Sequence, residues 1–136
     1  MKIMAIDYGD ARTGIAVSDI MGFMTGEAFV ISEWNQEKAA DKIVQAAIER
    51  RAELLVMGLP KNMDGSLGPR AEKCMEMAGI LREKTGLEVI MWDERRTTID
   101  AHRILSDNGR KTKKHRQNVD AVAASLILEG YLASIK

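Results

Sequence analysis

The chain has one cysteine, two prolines and only two each of Trp, Tyr and Phe in 136 residues. Each scarcity closes off something. A lone thiol, Cys74, can form neither an intramolecular disulfide nor a multi-cysteine metal site, so a reducing compartment, the cytoplasm, is expected. With so few rings, the core must be built from aliphatic side chains and the nine methionines. Net charge is missing too: twenty basic residues balance twenty acidic ones, which argues against a protein that coats nucleic acid indiscriminately. No apolar run approaches the roughly 20 residues of a membrane span, and the opening MKIMAIDYGD meets an acid too early for a signal peptide. The two histidines, His102 and His115, lack ligand spacing, so a zinc site is not expected.

What is present reads as one α/β domain over residues 1–136. Residues 2–6 are apolar without alternation, as in a strand buried on both faces, and Asp7 follows. DYGDARTG is rich in turn formers, and residues 13–18 and 25–32 read as the next two strands, connected as hairpins. Asn35 predicts the N-cap of a helix over 36–51, with Ala39, Ala40, Ile43, Ala47 and Ile48 on one face. Residues 54–59 form another apolar strand, stopped by Pro60. Pro69 and Gly86 bracket a second helix, and residues 87–92 form the last strand, leading into Asp93 and Glu94. Thr97 or Thr98 predicts a helix to about Ser106, residues 107–114 a basic loop, and Asn118 the cap of a final helix over 119–133. Hairpin connections make the first three strands antiparallel, and helical crossovers make the later ones parallel. The expectation is a five-stranded mixed sheet flanked by helices, with ligands beyond the carboxyl ends of its parallel strands.

Three acids stand where chemistry can use them. Asp7 ends the first strand, where an ionised carboxylate must find a positive partner, either Arg12 across the turn or a metal ion. Asp93 and Glu94 end the last strand. Side chains alternate along a strand, so only one of the pair can share Asp7's face; Glu94 is the first choice and Asp93 the substitute. Asp120 has Ala123, Ala124, Ile127 and Tyr131 on its own helical face, which places a carboxylate on or beside the buried stripe. A structural role as a first-turn acid is the alternative for Asp120. Carboxylates suit hard cations, Mg²⁺ or Mn²⁺, and two such ions can clamp the attacking and leaving oxygens of a phosphoryl displacement. From Arg95 to Arg116, eight basic residues face two acids, a local excess of six positive charges that can hold a polyanion. Gly58 and Gly65 are read as turn glycines on a loop leaving the same edge of the sheet.

Four segments, AIDYGDARTGIAVSD, GLPKNMDGSLGPRA, WDERRTT and VDAVAASLILEGYL, resemble the YqgF or RuvX family of Holliday-junction-resolvase-like proteins. The resemblance runs in order over essentially the whole chain. It implies a ribonuclease-H-like fold similar to RuvC and a nuclease that matures the 5′ end of pre-16S rRNA. It implies catalytic, metal-binding roles for Asp7, Glu94 and Asp120, with Arg12, Arg95 and Thr97 at motif positions suited to phosphate. Arg96, Arg110, Lys111, Lys113, Lys114 and Arg116 complete the expected nucleic-acid contacts. One departure from the wider fold is visible. A carboxylate commonly follows the fourth strand, whereas here Gly58-Leu59-Pro60 ends it and no acid comes before Asp64; the fifth-strand acid must therefore reach across.

Three other functions compete. A Holliday-junction resolvase would act on branched DNA, and would need a symmetric dimer where a processing nuclease could be monomeric. A non-catalytic RNA-binding or ribosome-assembly module would have no use for the three acids. An actin- or hexokinase-like ATPase also carries Asp-x-Gly after its first strand, but closes two such domains over its nucleotide.

Overall fold

The computed structural model describes residues 1–19, 21–22, 24–94 and 113–135, with residues 113–118 as backbone. The elements follow in the order β1 (Ile3–Asp7), β2 (Arg12–Ser18), β3 (Thr25–Ser32), α1 (Gln36–Glu49), β4 (Leu54–Leu59), α2 (Pro69–Thr85), β5 (Val89–Asp93) and α3 (Lys113–Ser134). They build one five-stranded sheet in the order β3-β2-β1-β4-β5. β1–β2 and β2–β3 are antiparallel, and β1–β4 and β4–β5 are parallel, as the connection lengths require.

Local chemistry explains the boundaries. The Asn35 side chain accepts a hydrogen bond from the Lys38 amide at 2.9 Å and so caps α1. Pro69 opens α2, and Gly86 closes it with φ 71°, the left-handed conformation that glycine adopts at no steric cost. The start of the last helix differs from expectation. α3 begins at Lys113, so Asn118 lies inside it and Lys113 and Lys114 belong to the helix, not to a loop. Lys-Lys-His-Arg-Gln has no helix breaker, and helix propagation carries past an isolated cap-like residue. The helix expected over 97–106, and Arg95, Arg96, Thr97, Arg110 and Lys111, lie outside the described residues.

Period-two alternation divides the sheet into two cores. On one face Met4, Ile6, Ile15, Val17, Leu55, Met57 and Val89 pack with α1 and α2. On the other, Ile3, Ala5, Ala16, Leu54 and Val56 pack against Ala124, Ile127, Leu128 and Leu132 of α3. Gly130 of α3 admits the Trp92 ring, 3.1 Å from where its Cβ would stand, and Trp92 meets Tyr131 edge-on with centroids 6.2 Å apart. No helix among the described residues is long and apolar enough to cross a membrane.

Candidate active site

The alternation that builds the cores also decides which acids meet. In β1, Ile3 and Ala5 face α3, so Asp7 does too. In β5, Ile90 and Trp92 pack on the α3 side and Met91 on the other. Asp93 therefore faces α1 and α2, and Glu94 returns to the α3 side. Glu94, not its substitute Asp93, shares a face with Asp7. Asp120 comes down on the same side from α3. It lies on the helical face of the buried Ala123, Ala124, Ile127 and Leu128, as the spacing predicts.

Two glycines on the strands flanking β1 make this convergence possible. Gly14 of β2 pairs with Asp7, and a Cβ on Gly14 would run into the Asp120 carbonyl oxygen. The backbone of α3 can approach the sheet here only because that position has no side chain. On the other side, β4 pairs with β1 through Ile6–Met57, so Gly58 comes one step further, beside Asp7. A Cβ on Gly58 would stand 2.6 Å from Glu94 Cγ and Oε1. Glu94 thus leans over β4 toward β1 through the space that Gly58 leaves open. Gly58 sits within β4 and is not a turn glycine. The missing side chain at Gly58 clears the first part of the reach from the fifth strand, as far as β4.

The electrostatics single out Asp120, a half-buried acid. Arg12 Nε donates to Asp120 Oδ2 at 2.9 Å. Even so, the Asp120 carboxyl is held above its ordinary pKa, because burial outweighs the Arg12 hydrogen bond and the negative charge of Asp7 adds to the penalty. The buried Cys74 thiol is pushed up to about 12, first by burial and then by the charge of Glu94; it is an inert thiol, not a nucleophile.

The sequence reading missed one cation here. Arg70, in the first turn of α2, donates from Nη2 to the Tyr8 carbonyl at 3.0 Å, and its charge favours ionised Asp120. It pins the β1–β2 loop just past Asp7. Its sequence signal was only a place in GPRA, since nothing in the spacing tells which helix end will lie over which loop.

The expectation of a ready-made cation pocket is not met in full. Among the described residues, no three His, Cys, Asp or Glu side chains are gathered closely enough to hold one metal ion. The three acids share a face and suit a hard cation in kind, but Arg12 engages Asp120 and Glu94 starts two strands away from Asp7. Lys113, Lys114 and Arg116 occupy the start of α3 as backbone.

Comparison with known proteins shows the family and the fold. A family model described as "RuvX: Holliday junction resolvase" matches residues 1–134. Among curated relatives, a Halothermothrix orenii protein named "Putative pre-16S rRNA nuclease" is 41% identical over 134 residues, 97% of this chain and 94% of that protein. A Bacillus cytotoxicus protein of the same name is 41% identical over 136 residues, 98% of this chain and 99% of that one. Among solved structures, Thermus thermophilus RuvC bound to a Holliday junction substrate superposes with a TM-score of 0.64 at 12% identity, covering 99% of this chain and 96% of that one. At that identity the likeness concerns the fold, which is ribonuclease-H-like.

Proposed function

The chain belongs to the RuvX family, and from that premise we propose that it is a nuclease hydrolysing phosphodiester bonds in precursor 16S rRNA, with Asp7, Glu94 and Asp120 as its acidic centre. The observation that supports the reading is Asp7 flanked by Gly14 and Gly58, through which α3 and Glu94 approach β1 from its two sides. Glycine weakens a strand, so a bare position on each side of a carboxylate marks where another element comes close, the α3 backbone at Gly14 and the Glu94 side chain at Gly58. Such positions have a use in a site that must bring three acids together. The names of relatives about 40% identical along nearly their full length support the substrate.

Asp7, Glu94 and Asp120 would hold Mg²⁺ or Mn²⁺, which when bound supplies an activated water and neutralises charge on the phosphate. Arg12 positions Asp120 through its hydrogen bond and has a second use as a phosphate contact when that carboxylate turns to a cation. Arg70 keeps the loop after Asp7 in place. The basic run from Arg95 to Arg116, including Lys111, Lys113 and Lys114, supplies the sequence-independent hold on the polyanion.

The test is incubation of a 5′-extended 16S rRNA precursor with wild type and Asp7→Asn, with and without Mn²⁺. Wild type should cleave only with the ion, and Asp7→Asn should bind the RNA yet leave it intact. Equal cleavage by the two proteins would sink the site. The family description favours a second reading, resolution of branched DNA, so a four-way junction belongs in the same assay. Paired nicks, together with dimers in sedimentation, would move the substrate to DNA.

A further inference from the structure

Trp34 is 79% exposed, one of the largest apolar side chains left in water. A single exposed apolar residue is ordinary; its place and the bracing of its neighbours are not. It follows β3, whose last residue, Ser32, pairs with Arg12 at the start of β2. Trp34 therefore stands at the same edge of the sheet as Asp7, two strands along. At about 4.8 Å per strand spacing, that edge is crossed in roughly 10 Å.

Both neighbours of Trp34 are tied down. The Glu33 amide donates to the Ala11 carbonyl in the β1–β2 loop at 3.0 Å, and the Glu33 carboxylate pairs with Lys42 at 3.0 Å. Asn35 donates its amide to Glu33 Oε2 at 3.2 Å and caps α1. The indole is thus mounted on a braced corner, joined at Ala11 to the loop that leads into Arg12, and contributes little to the core. An exposed aromatic side chain on a braced backbone, at the sheet edge that carries Asp7, matches how single strands are bound without sequence preference.

We infer that Trp34 is a base-stacking platform for a single strand whose scissile phosphate lies at Asp7, one face of the indole receiving a base near that phosphate. This subsite rests on the nuclease reading, but its tests are separable from it. Stacking tolerates any base, so the platform would favour unpaired RNA over duplex without choosing a sequence.

The experiment uses the full chain carrying Asp7→Asn, so that RNA is bound and not cut, and a single-stranded RNA oligonucleotide as probe. Trp34→Leu should weaken binding by roughly 5- to 150-fold, the range for one stacked base, while Trp34→Phe retains most of the affinity. The salt dependence should not change, because stacking releases no counterions. With Trp92→Phe leaving Trp34 as the single indole, RNA should quench its fluorescence, and a strand of abasic sites should not. Duplex RNA should bind Trp34→Leu and the parent alike. Unchanged affinity in Trp34→Leu, or equal quenching by the abasic strand, overturns the platform. Failure of the Asp7→Asn parent and of wild type to bind any RNA overturns the nuclease reading along with it.

Discussion

Replacing Gly58 by Ala separates position from stability at this site. An alanine Cβ would lie 2.6 Å from Glu94 Cγ and Oε1 and 2.7 Å from Cδ, against the roughly 3.5–4.0 Å of a comfortable carbon contact. The Glu94 side chain must therefore withdraw by about 1 Å. Such a displacement at a reacting centre costs about 100-fold in rate, close to 2.7 kcal/mol of barrier. The fold has little reason to suffer. Gly58 does not have a positive φ, the contacted atoms belong to a flexible side chain, and Gly→Ala at a compatible site gains about 0.4–1 kcal/mol through the unfolded chain. The assay is kcat on the proposed pre-16S rRNA substrate with saturating Mn²⁺, beside a thermal melt. The expected result is a loss of about two orders of magnitude in kcat with an unchanged or slightly higher Tm. Gly14→Ala is the contrast, because its Cβ would meet the Asp120 carbonyl, a backbone atom that cannot step aside; that variant should lose stability as well as rate. If Gly58→Ala keeps wild-type kcat, Glu94 does not act from where the structure puts it.

Two other expectations concern charge. The folded pKa of Asp120 is raised, so the fold holds that proton more tightly than the unfolded chain does. Its contribution to stability is complete below the ordinary carboxylate range and is lost as pH rises through the folded pKa. Asp120→Asn should then melt no lower than wild type at pH 7, with its relative advantage vanishing in acid; a variant weaker at neutral pH than in acid would contradict the sign. Changing Lys111, Lys113 and Lys114 together to Ala should reduce the slope of log affinity against log salt by about 2 on single-stranded RNA, at about 0.7 per lost phosphate contact. An unchanged slope would remove this run from the nucleic-acid interface.

Much of this protein was legible from its residues in order. The strands 25–32 and 54–59 and the helix 69–85 fall where turn formers, Pro69 and Gly86 bracket them, because those signals act locally through the backbone. The two-sided burial of β1 and the buried face of α3 around Asp120 follow from hydrophobic periodicity alone. The start of α3 was misjudged because a polar run can propagate a helix without announcing it. Local sequence names candidate acids, but it cannot say which of them will share a point in space. The choice of Glu94 over Asp93, the clearance supplied by Gly14 and Gly58, the brace from Arg70 and the position of Trp34 at the sheet edge that carries Asp7 all depend on strands and helices distant in sequence lying side by side. Those distances exist only once the sheet is assembled, which is why a glycine that reads as a turn in the chain proves to be the opening through which an acid reaches its neighbour.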